Sequence, residues 1–279
     1  MTTEIILDSK ERFAFGKNWH QFLKHFDESR VQEAEKSLQE KLGLSDLTGK
    51  TFLDIGSGSG LFSLAAHRLG ARVYSFDYDQ DSVDCTLYLK KNYARNNLEW
   101  SVEQGSVLDQ TFLNKFGQVD IFYSWGVLHH TGHMFQAFEN VSHLVKDAGI
   151  LFISVYNDQG RRSRYWKTIK KSYIQGNILL KMIILFLCII GLWGIIFLKD
   201  FLTSLNPLKT WFSYGKNNRG MSAWHDLIDW VGGYPFEVAK PEVVFAFFNS
   251  KGFQLEKLKT CAGGLGCNEF VFVKKQQPV

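Results

Sequence analysis

The sequence predicts an α/β protein built on a doubly wound sheet. Three observations carry that expectation. An apolar run at 51–55, interrupted by Asp54, leads into three alternating glycines and then into small and apolar residues at helical spacing, the order strand, tight turn, helix. Strand-like and helix-like stretches then alternate as far as Tyr156. Two late runs, 251–258 and 269–274, read as the last strands of the same sheet.

The chain has 279 residues, room for one large α/β domain with an insertion or for two small domains. Hydrophobic residues make up 45% and charged residues 22%, a globular balance. A net charge of +4 without a concentrated basic face argues against nucleic acid as a partner. Cys85, Cys188, Cys261 and Cys267 form no CxxC pair, so neither zinc nor a disulfide framework is expected. The first ten residues lack a basic region leading into an apolar core. No secretory signal is therefore expected, and the cytoplasm is the expected compartment.

The N-terminal stretch 18–42 reads as one amphipathic helix, with Phe15, Trp19, Phe22 and Phe26 on one face and Gly43 as its stop. That face either packs on the main domain or forms a lid, with Trp19 closing over ligand. Asp54, Gly56, Ser57, Gly58 and Gly60 form the strand-to-helix turn. Its backbone N–H groups face outward, as in turns that receive a charged ligand group. The dinucleotide fingerprint needs its third glycine at the sixth position, where Leu61 stands; Gly60 falls one place early, which counts against a nicotinamide cofactor.

The next strand, 72–76, ends at Asp77 and Tyr78, about twenty residues past the first glycine, where a strand-end carboxylate meets a ribose diol. Asp79 stands ready to cap the helix at 80–93, which frees Asp77 for ligand. A short third strand at 98–103 leads to Gly105, Ser106, Val107 and Leu108. A fourth strand at 119–124 runs into Trp125, Gly126, Val127, Leu128, His129, His130 and Thr131, beyond the strand ends where such sheets bind ligands. A helix at 133–145 and a fifth strand at 148–156 complete this part.

The arrangement Asp54-x-Gly56-x-Gly58-x-Gly60, the strand-end Asp77 and the segment from Trp125 to Thr131 together resemble class I S-adenosylmethionine-dependent methyltransferases. The closest flavour is the ubiquinone-biosynthesis O-methyltransferase type. The resemblance covers 47–156 and resumes at 241. It implies a seven-stranded Rossmann-like sheet with an antiparallel last strand, and S-adenosyl-L-methionine as cofactor. It also implies that the turn at 105–107 holds the adenine, with Ser106 in place of the usual acid and Val107 and Leu108 against the ring. The implied cofactor-binding residues are Asp54, Gly56, Ser57, Gly58, Gly60, Asp77, Tyr78, Gly105, Ser106, Val107, Trp125 and Gly126.

The regular alternation breaks at Asn157. A basic stretch (Arg161, Arg162, Arg164, Lys167, Lys170, Lys171) precedes an apolar run at 178–198, long enough to span a bilayer. A single span would separate the two late strands from their sheet. Gly191 and Gly194 are therefore expected to break the run into a hairpin, either dipping into an anionic membrane surface or packed as a cap on the protein or on a second subunit. A helix at 221–231 carries Trp224, His225 and Asp226, and Pro241 opens a last crossover helix at 241–250. The expected organisation is an N-terminal helical lid (1–46), a cofactor-binding core (47–156), a helical insertion with an apolar hairpin (157–240) and the end of the core sheet (241–279).

The expected chemistry is methyl transfer to a small-molecule or lipid-like acceptor, oxygen favoured, in the cytoplasm or peripheral to the inner face of a membrane. Alignment supplies most of the catalysis. A hydroxyl acceptor also needs a base, and histidine works near neutral pH. His225 and His129 are the candidates, with Asp226 as orienter; Trp19, His130 and Trp224 are candidate acceptor contacts. No spacing among the histidines is specific for a metal. The other readings are a non-catalytic S-adenosylmethionine-binding, membrane-recruited module and an NAD-dependent dehydrogenase. The sequence sets no oligomeric state.

Overall fold

The computed structural model describes residues 12–16, 19, 23, 26–94, 99–217 and 223–276. Phe22 falls outside that set, as do the side chains of 215–217 and of His225. Seven strands form one sheet: β1 (Thr51–Ile55), β2 (Arg72–Asp77), β3 (Trp100–Gln104), β4 (Val119–Trp125), β5 (Val145–Tyr156), β6 (Phe253–Lys259) and β7 (Cys267–Lys274). Their order is β3-β2-β1-β4-β5-β7-β6. β1 runs parallel to β2 and β4, whereas β7 is antiparallel to both β5 and β6. This is the seven-stranded class I methyltransferase sheet with its antiparallel last strand.

Alternate residues of each central strand feed opposite faces of the sheet. Leu53, Phe122, Leu151 and Ile153 join the cluster covered by helices α5 (Met134–Ser142) and α10 (Pro241–Ser250). Phe52, Ile121, Tyr123 and Phe152 join the other, covered by α1 (Glu28–Leu42) and α2 (Leu61–Arg68). Burial on both faces explains why these strands read as near-continuous apolar runs.

The helix expected at 18–42 is divided: Gly16, Trp19 and Leu23 are helical, Phe26 and Asp27 are not, and α1 begins at Glu28. Asp27 is extended at φ −142° and its carboxylate accepts the Arg30 N–H at 3.1 Å, so a cap interrupts the apolar stripe; Gly43, left-handed at φ 71°, ends it. Helix α3 (Gln80–Tyr93) has the bounds expected, because Asp79 caps it by accepting the Asp81 N–H at 3.0 Å.

The insertion differs from the expected hairpin. Helix α6 (Arg161–Gln175) is followed by α7 (Ile178–Ser204), a single unbroken helix of 27 residues, about 40 Å long. Gly191 and Gly194 sit inside it. A helical glycine costs only about 1 kcal/mol relative to alanine, too little to break a long hydrogen-bonded run. The chain turns at Leu205, left-handed at φ 54°, and Asp200 fastens the turn by accepting the Thr210 N–H at 2.7 Å and its hydroxyl at 2.8 Å. Helices α8 (Lys209–Asn217) and α9 (Ala223–Gly232) then lead back towards the sheet. Cys188 and Trp193 of α7 pack with Ala223, Leu227 and Val231 of α9. The opposite face of α7 is bare: Ile195 is 82% exposed, Leu202 72% and Phe186 63%.

Candidate functional site

The glycine turn lies at the carboxyl end of β1. Gly56 and Gly58 adopt left-handed φ angles of 74° and 56°, which side-chain-bearing residues rarely adopt. Space is as restrictive as torsion: a Cβ on Gly56 would lie 2.3 Å from Val127, and one on Gly58 would lie 3.0 Å from the Trp19 indole. Trp19 thus rests directly over the turn.

Asp77, at the end of β2, binds this turn to the next. One carboxylate oxygen accepts the Gly58 N–H at 3.0 Å and the other accepts the Asp79 N–H at 2.9 Å. Desolvation raises its pKa to about 6, against the lowering effect of those hydrogen bonds. Each oxygen keeps a second lone pair for a ligand hydroxyl. The Arg12 guanidinium stacks over the Tyr78 ring at 4.2 Å and donates to the His130 carbonyl at 3.1 Å, so the N-terminal segment bridges the ends of β2 and β4. Gly16 N–H donates to Asp79 at 2.9 Å and closes the same side.

Asp54 faces the protein, not solvent. It is buried, accepts the Ser63 hydroxyl at 2.5 Å, and burial raises its pKa to about 7. Ser63 continues to Ser75 at 2.7 Å, and the Trp100 indole donates to Ser75 at 2.8 Å, which ties β1 to α2, β2 and β3. Ser57 pairs with Thr86 at 2.9 Å. Gly105 has the Phe112 ring where a Cβ would stand. Ser106 accepts the Leu108 N–H at 3.2 Å and retains its own hydroxyl proton for donation. Val107 is buried in the core cluster, and Leu108 is the half-exposed apolar residue of that turn. The Trp125 indole donates to Glu269 at 3.2 Å, and Gly126, left-handed at φ 77°, faces open space.

The histidines divide. His130 is buried with Nδ1 2.6 Å from the Pro235 carbonyl, which fixes the proton on Nδ1, and burial lowers its pKa to about 3. His129 is 0% exposed, wedged against His130 and Tyr156 at ring-centroid distances of 4.4 and 4.0 Å. Its ring lies against the Ser154 backbone, and burial drives its pKa well below the usual range. A charged His129 would be costly here, which weighs against it as a proton acceptor. Asp226 is exposed and accepts the Tyr214 hydroxyl; Trp224 lies on the surface of α9; the His225 side chain is outside the described residues.

The sequence reading missed Lys170. It is 0% exposed, donates to the Trp230 carbonyl, and lies 4.3 Å above the Trp230 ring and 4.9 Å from that of Phe236. Burial lowers its pKa to about 7. The signal was present: Trp166, Ile169 and Tyr173 recur around it at helical spacing, so Lys170 lies on the apolar face of α6. Glu237 was missed too; it accepts the Met134 N–H at 3.0 Å at the start of α5.

A glycine turn, a strand-end acceptor and a hydroxyl donor lie at successive strand ends, and the N–H groups of the turn are bonded within the protein, those of Gly56 and Ser57 to the Phe76 carbonyl and that of Gly58 to Asp77. The "Methyltransferase domain" family matches residues 24–177, more than half of the chain. The chain belongs to that family, which places it among S-adenosylmethionine-dependent methyltransferases. It is 32% identical over 114 residues to the ubiquinone biosynthesis O-methyltransferase of Glaesserella parasuis, covering 40% of this chain and 47% of that one. It is 33% identical over 110 residues to the ribosomal protein L11 methyltransferase of Helicobacter hepaticus, covering 35% and 34%. The chain thus spans a third to a half of the length of these relatives. The fold matches magnesium protoporphyrin IX methyltransferase from Synechocystis PCC 6803, solved with bound S-adenosylmethionine, at a TM-score of 0.55 and 13% identity over 98% of this chain and 100% of that one.

Proposed function

We propose that this chain methylates a small, lipophilic acceptor on oxygen, at the cytoplasmic face of a membrane. The observation that carries the reading is the Asp77–Gly58 pairing beneath Trp19, at the strand ends of a methyltransferase sheet. S-adenosylmethionine, when bound, supplies an electrophilic methyl group on a sulfonium. Asp77 would accept from its ribose hydroxyls, the turn at Gly56, Ser57, Gly58 and Gly60 would back its tail, and Ser106 would donate to the adenine. Tyr78, Gly105, Trp125 and Gly126 complete the proposed walls, and Asp54 holds the turn from below. Trp19 excludes water from above, and desolvation strengthens the contacts of Asp77.

The acceptor needs alignment and, for a hydroxyl, proton removal. His225 on α9 is the proposed base, and His130 and Trp224 remain proposed acceptor contacts. The lipophilic class is supported by α7, which is long and apolar enough to cross a membrane yet is followed by strands that rejoin the sheet. In the proposed arrangement α7 lies in the interface, its exposed face in the lipid and the basic residues of α6 near anionic headgroups. The protein would be incubated with methyl-labelled S-adenosylmethionine and host extract, and the label followed after organic extraction. Label in the organic phase supports the reading; label only in protein or aqueous metabolites refutes the lipophilic acceptor.

A further inference from the structure

Two cavities open side by side in the insertion, away from the glycine turn. The outer one, 430 Å³, is walled by Arg161, Arg162, Tyr165, Trp166, Leu192 and Leu265. The inner one, 210 Å³, shares Leu192 and Leu265 and continues past Trp193 and Leu227 to Trp230, with Asp226 and Tyr214, which pair with each other, also in its wall. Together they form one cleft with a cationic mouth and a largely apolar floor. Arg161 and Arg162 are exposed, and among the described residues neither side chain has an ion-pair or hydrogen-bond partner. Their charge is available to a ligand.

The wall opposite α7 is fixed before any ligand arrives. Gln159 donates to the Gly263 carbonyl at 2.7 Å, Asn157 Nδ2 to that of Gly264 at 3.3 Å, and the Asn157 N–H to that of Gly266 at 2.9 Å. These bonds hold Leu265 at the junction of the two cavities. The inner end stops at Trp230, whose ring meets Tyr156, the last residue of β5, edge-on at 5.4 Å. The cleft therefore ends one aromatic ring short of β5, and one of its walls is the helix whose far face is bare and apolar.

We propose that this cleft binds an anionic amphiphile drawn from a bilayer. Its phosphate head sits between Arg161 and Arg162, and its chain runs past Leu192 towards Leu227 and Trp230. Guanidinium pairs suit oxyanions because each presents a planar fork of donors. The apolar floor selects a ligand with a hydrocarbon tail over a free anion. The inference goes beyond the methyl-transfer reading, and rests on the membrane reading for the source of the ligand, not for the site.

The test uses the full chain and dihexanoyl phosphatidic acid, kept below its micelle concentration and followed by tryptophan fluorescence, since Trp166, Trp193 and Trp230 line the cleft. The expected result is a saturable change, at least tenfold weaker for dihexanoyl phosphatidylcholine and absent for inorganic phosphate. Arg161→Gln with Arg162→Gln weakens phosphatidic acid binding by about tenfold or more. Leu265→Glu, at an exposed position, does the same by placing a like charge at the junction. Both variants keep the wild-type circular dichroism, and Leu265→Glu still floats with anionic vesicles through α7. A wild type that binds the short-chain lipid but does not float supports the cleft and refutes the membrane reading. No saturable change in wild type, an equal response to phosphate alone, or unaltered affinity in both variants overturns the proposal.

Discussion

Asp77 accepts the N–H of Gly58 across the gap between the ends of β2 and β1. This bond joins the strand-end acid to the glycine turn, and its acceptor is partly desolvated. With the pKa of Asp77 raised to about 6, the folded protein holds a proton between roughly pH 4 and 6 that the unfolded chain has released. The contribution of Asp77 to stability therefore falls as pH rises through that window. Ligand binding has the opposite sign, because a carboxylate accepts ribose hydroxyls better when ionised. Affinity for S-adenosylmethionine is expected to rise between pH 5 and 7, and Asp77→Asn is expected to flatten that rise. Calorimetric titrations at three pH values check it.

Lys170 gives a second pH signature. Its folded pKa of about 7 lies below the ordinary 10.5, so from pH 7 to 10.5 the unfolded chain binds more protons than the native protein. Stability contributed by this group rises across that window, and below pH 7 the penalty of burying the charge is fully present. Lys170→Met is expected to gain more stability relative to wild type at pH 6.5 than at pH 9.5, by up to a few kcal/mol. Urea unfolding at both pH values measures the difference, and parallel curves contradict it.

The proposed base separates the histidines. His225→Ala is expected to lose about 10²–10⁴ in turnover with cofactor affinity kept. His129→Phe, which keeps the ring volume in a sealed pocket, is expected to retain turnover within a few-fold. Single-turnover assays on both variants decide between the two residues.

The exposed face of α7 predicts vesicle binding. Wild type is expected to float with anionic liposomes, and high salt should weaken that binding without abolishing it, because apolar burial is not screened. Ile183, Leu187 and Ile190 are all exposed. Changing the three to serine should release the protein and leave cofactor affinity intact. Wild type that stays in the soluble fraction points to a partner subunit on this face.

Local chemistry accounts for what was legible. The helix at Gln80–Tyr93 matched its expected bounds because Asp79 is a strong cap, and the helix at Pro241–Ser250 because proline opens it. The glycine spacing, Asp77 and the strand alternation carried the sheet. Other features depend on competition that a pattern does not display. Asp27 cut the N-terminal helix because its cap outweighed a continuous aromatic stripe. Gly191 and Gly194 did not break α7, because two weak helix formers do not offset the run around them. Lys170 was one more cation of a basic stretch in the sequence, and packing against Trp230 and Phe236 buries it. His129 looked accessible at a strand end, but Tyr156 and His130 enclose it.

The central claim is that S-adenosylmethionine occupies the turn at Gly58 with Asp77 as its acceptor, and calorimetric titration of S-adenosylmethionine tests it most directly. Wild type should bind. Gly58→Val should abolish binding, because a side chain there is strained at φ 56° and meets Trp19. Asp77→Ala should weaken binding by about 1.5–3 kcal/mol, the range for a hydrogen bond to a charged group. Both variants are to be compared as folded proteins by circular dichroism. Affinity equal to wild type in both, or no binding by the wild type, contradicts the account.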